Sequence, residues 1–155
     1  MGLEIEKKFL IKNDNWKQFV SEEKEITQGY LNANPNRTVR VRIAGKLGFL
    51  TIKSKSKGSV RSEFEYEIPI EDATELIELC EKPILSKTRF IVKFENHKWE
   101  IDVFEKENKG LVVAEIELSK EDEFFLTPDW IGKEVTEETK YYNSQLIENP
   151  YSEWD

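Results

Sequence analysis

The sequence has almost none of the residues on which disulfide, zinc and triad chemistry depends. Its 155 residues include one cysteine, Cys80, and one histidine, His97. A single cysteine excludes an internal disulfide and a Cys/His zinc cluster. Cys80 stands in an apolar helical pattern and is predicted to be a core residue. His97 falls in a predicted hairpin turn, where it is a poor candidate for the base of a serine or cysteine hydrolase.

Long apolar runs and glycine-rich phosphate loops are also missing. The segment MGLEIEKKFL carries acids and bases where a signal peptide needs an apolar stretch, and no later run is long enough to span a bilayer. We therefore expect a cytoplasmic protein without a membrane partner. Because there is no Walker-type loop, any phosphate must be bound by side chains.

Charge is abundant and unevenly placed. Charged residues make up 35% of the chain and the net charge is -8, which argues against DNA as a partner. Between Arg37 and Ser62, however, there are many Lys and Arg residues and no Asp or Glu. A basic segment inside an acidic protein predicts a local site for an anion.

Two-residue alternation of apolar and charged residues dominates the chain, which is the pattern of β-strands. About eight strands are predicted, at residues 3–10, 26–31, 39–43, 49–53, 61–68, 87–92, 99–103 and 114–118. Eight is the number at which a closed barrel has a side-chain-filled or ligand-sized interior, and the short turns favour antiparallel neighbours. Helices are predicted at residues 14–22, 72–81 and 137–148, the last with Thr136 as N-cap. We expect one α+β domain over residues 1–155: an eight-stranded antiparallel barrel with helices packed outside and a C-terminal helix near one mouth.

The charged positions of these strands are sorted by sign, with acids on the first and last strands and bases on the middle ones. An ordinary antiparallel sheet with one face in water would also alternate, but its polar face normally mixes charged and neutral residues. If the sheet closes, the cations converge on a lumen that suits a polyanion, and the carboxylates suit a hard divalent cation. Together they predict a site for phosphoryl transfer.

Six motifs follow one another in a specific order along the chain. They are Glu4-Ile5-Glu6-Lys7-Lys8, Arg40-Val41-Arg42, Thr51-Ile52-Lys53, Arg61-Ser62-Glu63-Phe64-Glu65, Lys87-Thr88-Arg89 and Glu115-Ile116-Glu117. This ordered set resembles the CYTH superfamily, also called triphosphate tunnel metalloenzymes, and within it the short bacterial inorganic triphosphatases. The resemblance covers nearly the whole chain and implies an eight-stranded tunnel with a charged lining.

The resemblance also implies roles for the charged residues. Glu4 and Glu6 with Glu117 would hold the catalytic Mg²⁺ or Mn²⁺, and Glu115 would stand nearby. Glu63 and Glu65 would orient the attacking water, and Lys87 and Arg89 would belong to the catalytic set. The triphosphate chain would be bound by Lys8, Arg40, Arg42, Lys53, Arg61, Lys87 and Arg89. Asp102 is expected to be a further lumen carboxylate.

These residues favour a metal-dependent hydrolase of inorganic tripolyphosphate, with nucleoside triphosphates as possible further substrates. A class IV adenylate cyclase, a thiamine triphosphatase and a non-catalytic polyphosphate-binding module stay open as alternatives. Hydrolysis is favoured because the chain is short and its predicted lining has no aromatic slot for a base or thiamine. The expected partner is a small-molecule triphosphate, and either a monomer or a homodimer fits. We predict that Trp130, Tyr141 and Tyr142 pack against the barrel, and we leave Lys140 outside the site because similar proteins often carry Arg there.

Overall fold

The computed structural model describes residues 2–154 and consists mainly of β-strands. Two α-helices are present in this range, α1 (Ile70–Glu78) and α2 (Asn143–Leu146), with short 3-10 turns at Asn15–Phe19, Lys106–Asn108, Thr139–Tyr141 and Tyr151–Glu153. The strands are β1 (Leu3–Ile11), β2 (Val20–Asn32), β3 (Arg37–Ala44), β4 (Leu47–Ser54), β5 (Val60–Ile68), β6 (Leu85–Phe94), β7 (His97–Phe104), β8 (Val112–Glu117) and β9 (Ile131–Glu134).

The strands form one antiparallel sheet that closes on itself. The order is β5-β4-β3-β2-β6-β7-β8-β1, and β1 then pairs with β5, which completes a ring of eight strands. β9 is an additional strand on the free part of the β1 edge. The predicted eight-stranded antiparallel barrel is confirmed, and a closed ring leaves few exposed strand edges.

The closing seam is short because β1 divides one edge between two partners. Its first residues pair with β5 over three positions, from Leu3 opposite Ser62 to Ile5 opposite Val60. Further along, Phe9 and Ile11 pair with β9. Between these two stretches the backbone N–H of Glu6 donates to Ser59 O at 3.0 Å, and that of Lys8 donates to Thr136 Oγ1 at 3.0 Å. The loop after β4 and the chain after β9 therefore complete the wall where the seam ends.

Most of the apolar core lies on the outside of this ring, because the inner face of each strand is occupied by charge. One cluster covers the outer face of β1, β6, β7 and β8, where Trp99 and Ile116 pack under Trp16 and Trp130. A second cluster fills the space between α1 and the outer face of β3 and β4, and includes Cys80, which is buried as predicted. The covering segments are amphipathic and bury their apolar sides on the barrel, as expected for elements of a small domain.

A third cluster forms the floor of the barrel. Leu85, Phe104 and Val113 have the same strand parity as the inward-facing charges of β6, β7 and β8, and they pack against Leu146 and Ile147 of the C-terminal region. The helix α2 therefore caps one end of the barrel. At the opposite end, where Lys24, Phe49, Glu100 and Glu117 line the cavity, neither of the two α-helices of residues 2–154 covers the lumen.

Two of the three helix predictions are wrong in detail. Within residues 14–22, a 3-10 turn covers Asn15–Phe19, and its Trp16 packs on Phe90 with 5.2 Å between ring centroids. The chain is already a strand from Val20, because it pairs there with β6. Residues 137–148 are broken at Tyr142, whose extended backbone (φ -68°, ψ 135°) separates a 3-10 turn from the one-turn helix α2. Thr136 is no N-cap; its hydroxyl donates to Glu134 Oε2.

The predicted helix over 72–81 is present, displaced to Ile70–Glu78 after Pro69. Among residues 2–154, no helix is both long enough and apolar enough to cross a bilayer.

Candidate active site

The lumen of the barrel is a charged cavity of about 280 Å³ that opens at one end. All the predicted site residues except Lys87 line it, namely Glu4, Glu6, Lys8, Arg40, Arg42, Lys53, Arg61, Glu63, Glu65, Arg89, Glu115 and Glu117. They converge because each occupies an inward position of a strand, and successive inward positions are two residues apart.

The strand register arranges one wall of the lumen in layers. Directly opposed residues on β2, β3, β4 and β5 share a face, so each layer crosses four strands. The middle layer is Tyr30–Arg40–Thr51–Glu65, and the layer above it is Gln28–Arg42–Phe49–Glu67. The lower layer, towards the floor, brings Thr38, Lys53 and Glu63 together.

Arg40 is the most enclosed cation of the middle layer and keeps one donor free. Its Nη2 donates to Thr51 Oγ1 at 3.1 Å and to Glu65 Oε1 at 3.3 Å. Within residues 2–154 its Nε has no hydrogen-bond partner, although the side chain is only 7% exposed. A buried donor without an acceptor is costly, so this atom is suited to an anionic ligand.

Arg42 and Arg89 add positive charge to the same space. Arg42 donates Nε to Gln28 Oε1 at 2.9 Å. Burial lowers the pKa of Arg42 to about 9, and the neighbouring Arg40 and Arg89 contribute to the shift. A buried arginine whose pKa is lowered in this way has too little negative charge around it, and an oligo-anion would supply that charge.

Glu4 is the anchor of a separate ion-pair network on the other side of the lumen. Lys53 Nζ lies 3.1 Å from Glu4 Oε2, and Arg61 Nε donates to Glu4 Oε1 at 3.0 Å. Burial alone would raise the pKa of Glu4, but Lys53 and Arg61 outweigh it and hold this pKa below its usual value. Lys53 also lies 3.5 Å from Glu63.

Glu6 and Glu115 form a pair of carboxyl groups that face each other. Burial raises the pKa of Glu6 well above its ordinary value, and the charges of Glu115 and Glu4 raise it further. Glu115 has the opposite shift: burial would raise its pKa, but Lys8 and Arg89 bring it well below the ordinary value. The two carboxyl groups therefore have pKa values shifted in opposite directions. Glu117 lies beside them at the open rim, with its pKa raised by burial and by Glu4 and Glu100.

The carboxylates of the lumen suit a hard divalent cation in chemistry but are not arranged around one. Within residues 2–154 no three acidic, histidine or cysteine side chains form a ready-made metal cluster. Glu4 is engaged by two cations, while Glu6 and Glu115 are brought together at the cost of like-charge repulsion. Carboxylate oxygens that lie this close together suit a hard divalent cation, whose positive charge would offset the repulsion between them.

Lys87, which was predicted to bind the triphosphate, does not line the lumen and is buried behind its wall. Its Nζ is completely buried and contacts Asp102 Oδ2 at 2.6 Å and Asn143 Oδ1 at 3.1 Å. Asp102 also accepts two hydrogen bonds from Arg89, at 2.8 and 2.9 Å. Burial lowers the pKa of Lys87 to about 7 against the pull of Asp102. The prediction that Asp102 is a lumen carboxylate is therefore wrong: its side chain is 1% exposed, does not line the cavity, and holds Arg89 towards the lumen from behind.

A family model described as the CYTH domain matches residues 2–149. The chain belongs to the CYTH family. The inorganic triphosphatase of Acetivibrio thermocellus is 48% identical over 152 residues, which is 97% of both chains. The inorganic triphosphatase of Nitrosomonas europaea is 34% identical over 149 residues, covering 92% of this chain and 95% of that one.

Solved structures agree with this assignment. The crystal structure of an inorganic triphosphatase superposes with a TM-score of 0.65 at 31% identity, covering 92% of this chain and 96% of the other. The resemblance derived from the six motifs is thus confirmed, and so is the barrel architecture that it implied.

The CYTH barrel also contains lumen residues that the sequence interpretation missed. The sequence predicts that Tyr142 packs against the barrel, but its side chain lines the lumen, where Lys8 Nζ lies 5.5 Å from its ring centroid. Lys8 also donates to the carbonyl of Tyr141 at 3.3 Å. Trp130 packs in the outer core as predicted. Lys140, left outside the site, is exposed and lies 4.6 Å from the ring centroid of Trp154.

The inward position of further residues of this CYTH chain could have been predicted from strand parity. Gln28 and Tyr30 have inward parity on β2, and Phe49 has the parity of Thr51 and Lys53 on β4. Counting inward positions by parity, and not by charge, would have found them. Ile26 and Ala44 complete this uncharged part of the lining, so the expectation of an almost entirely charged lumen is wrong at its open end.

Proposed function

We propose that the protein is a metal-dependent inorganic triphosphatase that hydrolyses tripolyphosphate in the lumen of the barrel. The observation that carries the proposal is the buried Nε of Arg40, a donor without a partner in residues 2–154, in a cavity where Arg42 and Arg89 also concentrate positive charge. Two relatives that match nearly the full length are inorganic triphosphatases, which favours hydrolysis over cyclase activity or simple binding.

A triphosphate fits these cations better than a mononegative ligand does. Arg guanidinium groups bind phosphate oxygens through paired N–H donors, and each phosphate offers several such oxygens. Arg40, Arg42 and Arg89 would bind one side of the chain, with Lys8, Lys53 and Arg61 on the other. Holding the three linked phosphates in position would lower the activation free energy, because catalysis of phosphoryl transfer depends chiefly on positioning and electrostatic stabilisation. Lys87 is assigned a supporting part, through Asp102 and Asn143.

The family's triphosphatases depend on a metal ion, and we propose Mg²⁺ or Mn²⁺ for this chain. Glu6, Glu115 and Glu117 would hold it, with Glu4 released from Lys53 and Arg61 as a further ligand. When bound, the ion polarises phosphoryl oxygens and offsets the charge that builds up on them.

The chain's own residues would perform the remaining tasks. Glu63 and Glu65 stand opposite Lys53 and Thr51 in adjacent layers, which suits them to accept hydrogen bonds from an attacking water. Burial and the charge of Glu4 raise the pKa of Glu63, which makes it a better proton acceptor than an exposed glutamate. We place the reaction in the cytoplasm, on a small-molecule triphosphate, with the protein acting as a monomer or homodimer.

Product analysis would test this function. The purified protein would be incubated with tripolyphosphate, pyrophosphate, ATP and thiamine triphosphate, each with Mg²⁺, Mn²⁺ or EDTA. We expect phosphate and pyrophosphate from tripolyphosphate, no turnover with EDTA, and a loss of at least a hundredfold in Glu115→Gln. Lys140→Gln, which removes an exposed charge outside the lumen, is the matched control. Cyclic AMP from ATP would make the protein a cyclase, and metal-independent binding of tripolyphosphate without turnover would make it a binding module.

A further inference from the structure

The C-terminal region closes only one side of its end of the barrel. The floor residues Leu85, Phe104 and Val113 belong to β6, β7 and β8, and the C-terminal region packs against them. On the other side, β3, β5 and the loop after β4 line a second cavity of about 230 Å³, together with residues 137–144. This end of the lumen is therefore bordered by apolar side chains on one side and by a further cavity on the other.

The second cavity adjoins the lumen through side chains. Thr38, Arg61, Tyr142 and Ser144 line both spaces. The Tyr142 hydroxyl lies 3.4 Å from Ser56 Oγ, which is long for a hydrogen bond between two hydroxyl groups. Because these side chains face both spaces, their rotation is enough to connect the lumen with the second cavity.

Three of the shared residues have hydrogen-bond donors that are not in use. Arg61 donates Nε to Glu4, and within residues 2–154 its two Nη groups make no hydrogen bond. Thr38 and Ser144 are each 5% exposed, and their hydroxyl groups also have no hydrogen-bond partner in that range. Enclosed donors without an acceptor favour a ligand that offers several oxygen atoms.

The charge and size of the second cavity favour a phosphate as that ligand. Lys55 and Arg61 line it, and within residues 2–154 the exposed Glu137 is the one carboxylate that does so. Arg61 shares its counter-ion Glu4 with Lys53, so the charge of Arg61 is only partly compensated. A volume of about 230 Å³ holds several water molecules and therefore has room for one phosphate group.

The order of the layers places one product of the proposed reaction next to this cavity. Glu63, which we propose to orient the attacking water, is in the lower layer with Thr38, and Thr38 also lines the second cavity. Attack at this level forms a P–O bond to the phosphorus nearest the floor and breaks its bond to the bridging oxygen. Pyrophosphate then remains on the side of the open end. In a lumen with one opening, the inner phosphate could not leave before the pyrophosphate.

We propose that the second cavity is a binding site for inorganic phosphate and the route by which phosphate formed in the lumen leaves the barrel. The inference rests on the proposed function, and it adds a contact between Lys55 and the product. Phosphate leaves first, through the second cavity, and pyrophosphate follows through the open end. Inorganic phosphate added to the solution enters the same cavity from outside.

The first test measures tripolyphosphate hydrolysis at rising concentrations of added inorganic phosphate or pyrophosphate. The disappearance of tripolyphosphate is followed by ion chromatography. A product that leaves first binds again while the other product is still in the lumen, so it lowers kcat even at saturating tripolyphosphate. We therefore expect inorganic phosphate to be a noncompetitive inhibitor and pyrophosphate to be a competitive one.

Two charge reversals in one loop locate the phosphate site. Lys55→Glu changes a residue that lines the second cavity, and Lys57→Glu is the matched control, because Lys57 is also exposed but lines neither cavity. We expect Lys55→Glu to raise the inhibition constant for phosphate about fivefold, the effect of losing an exposed ion pair, and Lys57→Glu to change it by less than about twofold. Both variants should keep kcat/KM for tripolyphosphate within about twofold of the unmodified protein, because neither lysine lines the lumen.

Thr139→Trp tests the route by filling the second cavity from its exposed side. Thr139 lines this cavity and does not line the lumen. Slower product release lowers kcat and KM together and leaves kcat/KM unchanged. We expect this pattern in Thr139→Trp, together with weaker inhibition by added phosphate. Thr74→Trp, at an exposed position of α1, is the control for the added bulk and should behave as the unmodified protein.

Three outcomes would overturn the inference while leaving the triphosphatase in place. Phosphate that does not inhibit, or that only competes with tripolyphosphate, would have no site outside the lumen. An equal effect of Lys55→Glu and Lys57→Glu would mean that the lysine charges act at a distance. Unchanged kcat and unchanged phosphate inhibition in Thr139→Trp would exclude the second cavity as the route. A protein that does not hydrolyse tripolyphosphate would instead remove the proposed function, and the product route with it.

Discussion

The sharpest prediction concerns Asp102, whose replacement by asparagine keeps the size of the side chain and removes its charge. Asp102 is 1% exposed and accepts hydrogen bonds from Lys87 and Arg89, which are themselves 0% and 12% exposed. In Asp102→Asn, Lys87 loses its counter-ion without gaining access to water, and Arg89 is left with its 3.5 Å contact to Glu100. Breaking a buried ion pair by removing one partner typically costs about 3–5 kcal/mol.

The response of Lys87 decides where in that range the cost falls. Its pKa is already lowered to about 7 by burial, and Asp102 is the charge that opposes this shift. Without Asp102 the pKa should fall further, so that Lys87 loses the charge that it still carries at pH 7.5 and escapes most of the penalty. We therefore expect a loss of about 3 kcal/mol, the lower end for a broken buried pair. For a chain of this length, that corresponds to a fall in Tm of about 6–12 °C.

Urea unfolding followed by tryptophan fluorescence measures the free energy directly, and calorimetry gives Tm. Glu100→Gln is the control, because Glu100 makes one contact of 3.5 Å with Arg89 and its side chain is 25% exposed. An ion pair of that kind is worth about 1 kcal/mol or less. If Asp102→Asn unfolds within about 1 kcal/mol of the unmodified protein, the assignment of Asp102 as a structural counter-ion is wrong.

Two further predictions follow from packing and from titration. A Cβ at Gly48 would lie 2.6 Å from Ala73 Cβ of α1, so Gly48→Ala should cost about 2 kcal/mol in urea unfolding. The double variant with Ala73→Gly should recover part of this loss, and no recovery would exclude the clash as the cause. The pKa of Lys87 is about 7 in the folded protein and 10.5 as its ordinary value, so between pH 7 and 10 the unfolded chain binds more protons and stability from this group rises with pH. Tm measured at pH 7 and pH 9 should show this rise in the unmodified protein and a smaller one in Lys87→Met, and equal changes in both would contradict the shift.

The strands and most of the lumen could be predicted because both depend on local alternation. Glu4, Glu6 and Lys8 had to share a face once β1 was a strand, and closure of the ring followed from the number of strands. The layer in which each residue would lie could not be predicted, because the register is fixed by pairing between distant segments. Lys87 illustrates the limit: its parity is correct, but the floor of the barrel buries it behind Asn143.

The elements that were missed owe their form to tertiary contacts. β9 is four residues long and has no alternation to detect; it is a strand because the edge of β1 beyond the seam is free to pair with it. The segment 137–148 has helical apolar spacing, yet Tyr142 is extended and its hydroxyl lies 3.4 Å from Ser56 Oγ. Phe49 was overlooked for a different reason. Lumen residues were selected by their charge, although the parity that Phe49 shares with Thr51 and Lys53 indicated the lumen.

The placement of apolar clusters outside the ring separates two kinds of evolutionary constraint along each strand. On β3, Val41 anchors α1 from the outer face while its neighbours Arg40 and Arg42 face the lumen. A substitution at Val41 would lower the stability of the folded protein, whereas a substitution at Arg40 or Arg42 would chiefly change what the lumen binds. The lumen residues could therefore change during evolution to suit a new anionic substrate, while the outer residues remain under the same selection for stability. One scaffold can in this way diversify its chemistry without first acquiring spare stability.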